Sequence, residues 1–210
     1  PLMDGPDIQA AVDQALTAGA TPDVVLDTVA QVVAAGATAL VMSYWNPIER
    51  YGTDRFADRM ASAGGAGVIT PDLTPEEAGA WISATDRAGL DRVFLVAPSS
   101  TDQRIETVAA VTSGFLYAAS TMGVTGARTQ VSSAAPGLVR RARALTDLPI
   151  AVGLGVSTGD QASEVAAYAD GVIVGSAFVR RILQAPDHES ARAGVRELAA
   201  ELAEGVRRHP

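Results

Sequence analysis

Short apolar runs alternate with helical patterns along this chain. Six runs are apolar without polar alternation, which is typical of strands buried on both faces of a parallel sheet. They span residues 38–43, 67–70, 92–97, 115–119, 150–153 and 171–174. Repeated strand–helix units predict a parallel sheet covered by helices. A doubly wound open sheet and a closed (β/α)8 barrel both fit, and a barrel would need two further strand–helix units before the first run.

The helices between these runs carry start and stop signals. A threonine hydroxyl can accept a hydrogen bond from a backbone N–H of the first helical turn, and such N-cap candidates are Thr21, Thr53, Thr74 and Thr101. Thr74 with Glu77 also has the spacing of a capping box. Glycines stand where helices should stop, at Gly36, Gly64 and Gly89. The last helix is expected over residues 189–207. We read residues 1–210 as one domain.

Composition narrows the chemistry. The net charge of −8 argues against nucleic acid as a partner. No apolar run is long enough for a membrane span and no secretory signal is recognised, so we expect a soluble cytoplasmic protein. Cysteine is absent and all sixteen basic residues are arginine, which excludes thiolate and Schiff-base chemistry for these residues. His188 and His209 fall late in the chain, so carboxylates or a tyrosine should carry any proton transfer.

Two glycine-bearing stretches follow the last two predicted strands. They are Val152-Gly153-Leu154-Gly155-Val156-Ser157 and Val172-Ile173-Val174-Gly175-Ser176-Ala177. In (β/α)8 barrels the loops after the last two strands, with the N-terminus of a short helix, commonly bind phosphate. Exposed N–H groups and the helix dipole favour the anion there. The pair predicts a phosphorylated small-molecule substrate, although each glycine alone could be a turn glycine.

Several polar residues follow the other predicted strands, where barrel active sites lie. They are Tyr44, Trp45, Asn46, Asp72, Ser99, Ser100, Tyr117 and Ser120. Residues 121–128 hold two glycines and two threonines and form a candidate lid. Tyr117 could equally be a core tyrosine. Asp4 could cap the first helix, with Asp7 as its rival, and we interpret Asp72 as part of a turn.

The motifs, taken together, resemble the tryptophan synthase alpha chain family. The matching segments are Pro1-Leu2-Met3-Asp4-Gly5-Pro6 with Ile8-Gln9, Met42-Ser43-Tyr44-Trp45-Asn46-Pro47 with Arg50-Tyr51-Gly52, Ile69-Thr70-Pro71-Asp72-Leu73, Phe94-Leu95-Val96-Ala97-Pro98, and residues 117–128, 153–156 and 171–177. They stand in family order over essentially the whole chain. The resemblance implies a (β/α)8 TIM barrel that cleaves indole-3-glycerol phosphate to indole and glyceraldehyde 3-phosphate by a retro-aldol reaction. It implies no cofactor or metal in this chain and a beta-chain partner that carries pyridoxal phosphate, in an alpha2-beta2 assembly.

The resemblance also assigns roles to individual residues. Asp4 matches the catalytic aspartate that meets the indole N–H, and this role displaces the capping interpretation. Tyr117 matches the tyrosine beside the reacting carbon, and Thr125 matches the lid threonine that touches the aspartate. Further matches are the phosphate cradle of Gly126, Gly155, Gly175 and Ser176, the indole-pocket positions Met42 and Ile69, and the partner-interface positions Asn46 and Pro47.

One family feature has no counterpart in these residues. The family's second catalytic carboxylate, a glutamate, lies on the second barrel strand, which would precede Pro1 together with the first strand. We therefore expect six strand–helix units here, an N-terminally incomplete barrel, and no activity from residues 1–210 alone. Two rival functions stay open: another phosphate-binding barrel enzyme, and a non-catalytic barrel that binds phosphoglycerol ligands and activates a beta-type partner.

Overall fold

Seven short strands, all parallel to their neighbours, form the centre of the part of the chain that the structure describes. The computed structural model describes residues 4–119, 134–153 and 155–208. The strands are β1 (Leu40–Met42), β2 (Gly67–Ile69), β3 (Asp91–Val93), β4 (Leu95–Val96), β5 (Leu116–Ala119), β6 (Ile150–Gly153) and β7 (Gly171–Val172). Their order is β1-β2-β3 in one sheet and β4-β5-β6-β7 in the other. Strands that neighbour one another in chain order, with no reversal, are typical of a barrel wall and not of a doubly wound sheet.

Helices separate most of these strands and cover them. They are α1 (Pro6–Thr17), α2 (Pro22–Ala34), α3 (Trp45–Tyr51), α4 (Thr53–Ser62), α5 (Gly79–Ala88), α6 (Asp102–Val111), α7 (Ala135–Arg143), α8 (Gly159–Ala166), α9 (Ser176–Gln184) and α10 (His188–Arg207). The buried core includes Trp81, Phe94, Ile105, Leu116 and Ile150, each no more than 1% exposed. Among the helices of residues 4–119, 134–153 and 155–208, none is long and apolar enough to cross a membrane.

Five of the six predicted strands form single strands, and the third divides into two. The run over residues 92–97 gives β3, which pairs with β2, and β4, which pairs with β5. Phe94 lies between them, and its carbonyl accepts a hydrogen bond from the N–H of Tyr117 at 3.2 Å. The run therefore passes from one sheet to the other at Phe94, and the two sheets continue one wall.

The helix signals are confirmed at some positions and wrong at others. The hydroxyls of Thr21 and Thr101 accept from N–H groups three residues later, at 3.3 and 3.2 Å, as N-caps do. Thr53 is instead the first residue of α4, after Gly52 at the N-cap. Thr74 does not start a helix, because its hydroxyl donates to the Glu77 carboxylate at 3.1 Å within a turn. The helix that follows, α5, begins only at Gly79.

The glycine stop signals and the last helix are confirmed. Gly36, Gly64 and Gly89 each follow or end a helix with a positive φ, of 88°, 77° and 67°. Such a φ costs glycine little because it has no Cβ. The last helix begins one residue before the expected start, and it places His188 in its first turn.

Candidate active site

The carboxyl ends of β5, β6 and β7 lie side by side. Ala119 pairs with Gly153 in the β5–β6 ladder, and Val152 pairs with Val172 in the β6–β7 ladder. Beyond the ladder, the N–H of Ile173 donates to the carbonyl of Val152 at 2.8 Å. The loops that follow β6 and β7 therefore leave the sheet next to each other, as the phosphate-site hypothesis requires.

The two cradle glycines have different local geometry. Gly155 has φ of +99°, a conformation that favours glycine. Gly175 is the exposed N-cap of α9, and no described atom lies within 4 Å of the place where its Cβ would stand. Ser176 follows as the buried first residue of the helix. The first turn of α9, whose residues are all described, has no acidic side chain, so its N–H groups and dipole can receive an anion.

Tyr117 is packed against the last residue of β6. Its side chain is 3% exposed, and burial raises the pKa of its hydroxyl to about 12. A Cβ on Gly153 would lie 2.1 Å from the Tyr117 Oη, so only glycine leaves room for this ring. The hydroxyl is therefore a neutral hydrogen-bonding group at the carboxyl end of β6. It is buried, as a core tyrosine would be, and it also lies next to the loop that carries Gly155.

Asp4 contacts a tyrosine that follows β1. The Tyr44 Oη donates to Asp4 Oδ2 at 2.9 Å, and burial together with this hydrogen bond raises the pKa of Tyr44 to about 12. The backbone carbonyl of Asp4 accepts from Gln9 Nε2 at 2.5 Å. The N-cap of α1 is Gly5, which makes no side-chain cap, so the capping interpretation of Asp4 is wrong. The Asp4 carboxylate lies instead at the carboxyl end of β1.

Asp7, the rival for that cap, is bound elsewhere. Its Oδ2 accepts from Arg180 Nε at 2.9 Å and from Arg180 Nη2 at 2.7 Å. The two residues are 173 positions apart in the sequence, and they join α1 to α9. Local pattern gives no signal for this ion pair.

Asp72 does more than form a turn. Its Oδ1 accepts from the N–H of Trp45, the first residue of α3, at 2.8 Å. Tyr44 is the N-cap of α3 but makes no side-chain cap, so the carboxylate from the loop after β2 supplies it. Asn46 and Pro47 are exposed in the first turn of the same helix. The interpretation of Asp72 as a simple turn residue missed this contact across 27 residues.

Met42 and Ile69 are direct neighbours. They are paired in the parallel register of β1 and β2, Met42 is 49% exposed and Ile69 is half-buried. Side chains at paired positions lie on the same face of a sheet, so the two form one apolar surface at the carboxyl ends of these strands.

Part of the predicted site lies outside the described residues, namely Ser120 and the lid over residues 121–128 with Thr125 and Gly126. Within residues 4–119, 134–153 and 155–208, no group of three or more acidic or histidine side chains is placed to hold a metal ion.

The strand order and the polar residues at the strand ends together define a protein of the (β/α)-barrel class with a candidate active site at the carboxyl ends of its strands. The family model described as tryptophan synthase alpha chain matches residues 1–207. This chain belongs to the tryptophan synthase alpha chain family. Its role is that of the alpha subunit in tryptophan biosynthesis, and family membership makes it a lyase.

Relatives and solved structures agree with this assignment. The chain is 62% identical to the tryptophan synthase alpha chain of Thermobifida fusca, over 99% of this chain and 78% of the relative. It is 59% identical to that of Acidothermus cellulolyticus, over 100% and 78%. Mycobacterium tuberculosis tryptophan synthase superposes with a TM-score of 0.91 at 51% identity, over 99% of this chain and 77% of that one. A mutant alpha subunit from Pyrococcus furiosus gives 0.86 at 30% identity, over 97% and 82%. The predicted TIM-barrel fold is confirmed.

Proposed function

We propose that this chain cleaves indole-3-glycerol phosphate to indole and glyceraldehyde 3-phosphate. The observation that carries the proposal is the Asp4 carboxylate at the end of β1, hydrogen-bonded to Tyr44 at 2.9 Å, in a chain of this family. A fixed carboxylate can accept the indole N–H and stabilise positive charge that develops on the ring. The N-terminus of α9, where no described atom lies within 4 Å of the Gly175 Cβ position, supplies a place for the phosphate.

The substrate lies between these two groups in our proposal. Its phosphate binds the backbone of Gly126, Gly155, Gly175 and Ser176, and its indole ring packs on Met42 and Ile69. The ring carbon takes up a proton while the carbon–carbon bond to the glycerol chain breaks. The electron pair of that bond returns to the ring as the adjacent hydroxyl loses its proton and becomes the aldehyde.

Neighbouring side chains have supporting roles. Tyr117 stays neutral because its pKa is about 12, so it acts by hydrogen bonding near the reacting carbon and not as an anion. Thr125 closes the lid toward Asp4. We assign the proton that the ring carbon takes up to none of the described side chains.

The product indole passes to a beta chain in this proposal. The exposed residues Asn46 and Pro47 at the start of α3 form part of the surface that meets the partner. Pyridoxal phosphate belongs to that partner and no cofactor belongs to this chain. The complex is an alpha2-beta2 assembly in the cytoplasm.

The test is indole formation from indole-3-glycerol phosphate by the intact protein with its beta partner. Asp4→Asn keeps the shape of the side chain and removes its charge. We expect turnover to fall by about 100-fold, the order lost when one transition-state electrostatic contact is removed, with substrate binding changed much less. Normal turnover in this variant would return Asp4 to a structural role.

The two rival functions give different results in the same assay. Binding of glycerol 3-phosphate without any turnover would indicate a non-catalytic activator of the beta chain. Binding with turnover of a different phosphorylated metabolite would indicate another barrel enzyme.

A further inference from the structure

One ion pair joins the two ends of the candidate active site. Asp7 lies three residues after Asp4, in the first turn of α1. Arg180 lies on α9, four residues after Ser176. Both the Nε and the Nη2 of the guanidinium donate to the same Asp7 oxygen, at 2.9 and 2.7 Å. The pair therefore ties the aspartate-bearing loop to the helix whose N-terminus faces the proposed phosphate.

The surroundings of the pair favour a fixed geometry. Asp7 is 25% exposed and Arg180 is 40% exposed, and Asp7 is the least exposed of the ion-paired carboxylates in the described part of the chain. Partial burial reduces screening by water and salt, and two donors on one oxygen restrict the guanidinium more than a single contact would. The negative charge also lies in the first turn of α1, where the helix dipole favours it.

We propose that Asp7 and Arg180 are positioning residues for the cleavage reaction. They hold the loop of Asp4 at a fixed distance from the N-terminus of α9. A substrate bound by its phosphate at α9 then presents its indole N–H to the Asp4 carboxylate. The inference rests on the proposed function, because it takes Asp4 and the N-terminus of α9 as the two ends of one substrate site. Reaction rates are sensitive to misplacement of about 1 Å, so a link far from the reacting bond can control turnover.

Binding of two ligands can distinguish a role in positioning Asp4 relative to α9 from a general role in stabilising α9. Indole-3-propanol phosphate has no cleavable bond and spans both ends of the site, whereas glycerol 3-phosphate occupies only the phosphate end. In the intact protein with its beta partner, Arg180→Met and Asp7→Asn should each lower kcat about tenfold. Affinity for indole-3-propanol phosphate should fall several-fold, while affinity for glycerol 3-phosphate stays within twofold of the wild type.

Matched variants make the result specific. The charge exchange Asp7→Arg with Arg180→Asp restores an ion pair between the same helices and should recover most of the lost kcat. Arg180→Lys keeps the charge with a single donor group and should give an intermediate kcat. Arg87→Met is the control, because Arg87 joins α5 to Asp54 of α4 at 3.1 Å, is 50% exposed against 40% for Arg180, and touches neither end of the site. It should leave kcat unchanged.

Three outcomes would contradict either the positioning role or the proposed function, and they can be distinguished from one another. Wild-type kcat in both single variants that fold normally would refute the positioning role. An equal loss of affinity for both ligands would show that the ion pair only stabilises α9. Failure of the wild type itself to cleave indole-3-glycerol phosphate would instead refute the proposed function.

Discussion

The backbone N–H of Trp45 and the Oδ1 of Asp72 lie 2.8 Å apart, and this contact fixes the start of α3. Tyr44, the preceding residue, holds the Asp4 carboxylate. Asp72 is therefore linked, through the start of α3 and Tyr44, to the Asp4 carboxylate that we propose meets the indole ring. The same short helix carries Asn46 and Pro47 on its exposed face.

Asp72→Ala should lower both stability and turnover. The loss of a helix N-cap costs about 1 kcal/mol of unfolding free energy, and a looser α3 should leave Tyr44 and Asp4 less well placed. Denaturant unfolding and indole formation measure the two effects. Asp72→Asn keeps an oxygen acceptor and should restore most of both.

Asp187→Ala is the control for that variant. Asp187 caps α10 by accepting from the N–H of Ser190 at 2.8 Å, which is the same kind of bond at a helix that carries no proposed site residue. This variant should lose stability but keep its turnover. Equal turnover in the Asp72→Ala and Asp187→Ala variants would mean that Asp72 acts on folding alone.

Gly153→Ala should damage the site from within the sheet. The new methyl group would lie 2.1 Å from the Tyr117 Oη, so the ring or the strand must move. Overpacking of this kind costs about 1–3 kcal/mol, and we expect turnover to fall at least about tenfold because the ring is displaced. Gly137→Ala in α7 is the control, since no described atom lies within 4 Å of its Cβ position. An active Gly153→Ala enzyme with control-like stability would show that Tyr117 can rotate freely.

Substitutions at Gly175 should separate phosphate binding from folding. The position has a negative φ of −125°, and no described atom lies within 4 Å of its Cβ position, so Gly175→Ala should fold normally. Gly175→Asp puts a carboxylate at a helix N-cap, where it stabilises the helix, but it opposes a phosphate at the same N–H groups. We expect affinity for glycerol 3-phosphate to fall about tenfold or more in this variant, about 1.4 kcal/mol, with unchanged or higher thermal stability. If calorimetry showed wild-type affinity for glycerol 3-phosphate in Gly175→Asp, the phosphate would not bind at the N-terminus of α9.

The tyrosines predict a loss of stability at high pH. Tyr44 and Tyr117 have pKa values of about 12 in the folded protein, and burial is the main cause for both. An unfolded tyrosine has a pKa near 10, so between about pH 10 and 12 the folded state keeps protons that the unfolded state has lost. Their contribution to stability is therefore complete below about pH 10 and disappears as the pH rises through about 12.

Absorbance at 295 nm follows tyrosine ionisation directly. In the folded protein, Tyr44→Phe and Tyr117→Phe should each remove a step that titrates above about pH 11, whereas in urea every tyrosine should titrate near pH 10. If Tyr117→Phe removed a step near pH 10 from the folded protein, the ring would be open to solvent.

The local sequence pattern was sufficient to predict most of the strands and helices, but it could not predict the contacts between them. Buried parallel strands are short and apolar, so five of the six runs could be located, but the passage of one run between two sheets at Phe94 depends on strands far along the chain. The capping-box pattern at Thr74 was wrong because its hydroxyl satisfies the Glu77 carboxylate inside a turn.

The candidate site shows the same division. Asp4, Tyr117, Gly155 and Gly175 could be picked out from motifs because each is near a strand end or a chain signature. The contacts around the site could not be predicted, because the hydrogen bonds Tyr44–Asp4, Trp45–Asp72 and Arg180–Asp7 span 40, 27 and 173 residues. Such pairs form only when the fold brings distant residues together, so no local sequence pattern indicates them.

The contact between Trp45 and Trp81 has an optical consequence. These are the two tryptophans of the sequence, and their rings meet edge to face at 5.8 Å, with Trp45 half-buried in α3 and Trp81 fully buried in α5. The Trp45 indole lies next to Asn46 and Pro47 in the chain, so a beta chain that docks there, as we propose, would change the polarity around one of the two tryptophans. We therefore expect the intrinsic fluorescence of the chain to change when the partner binds at the first turn of α3.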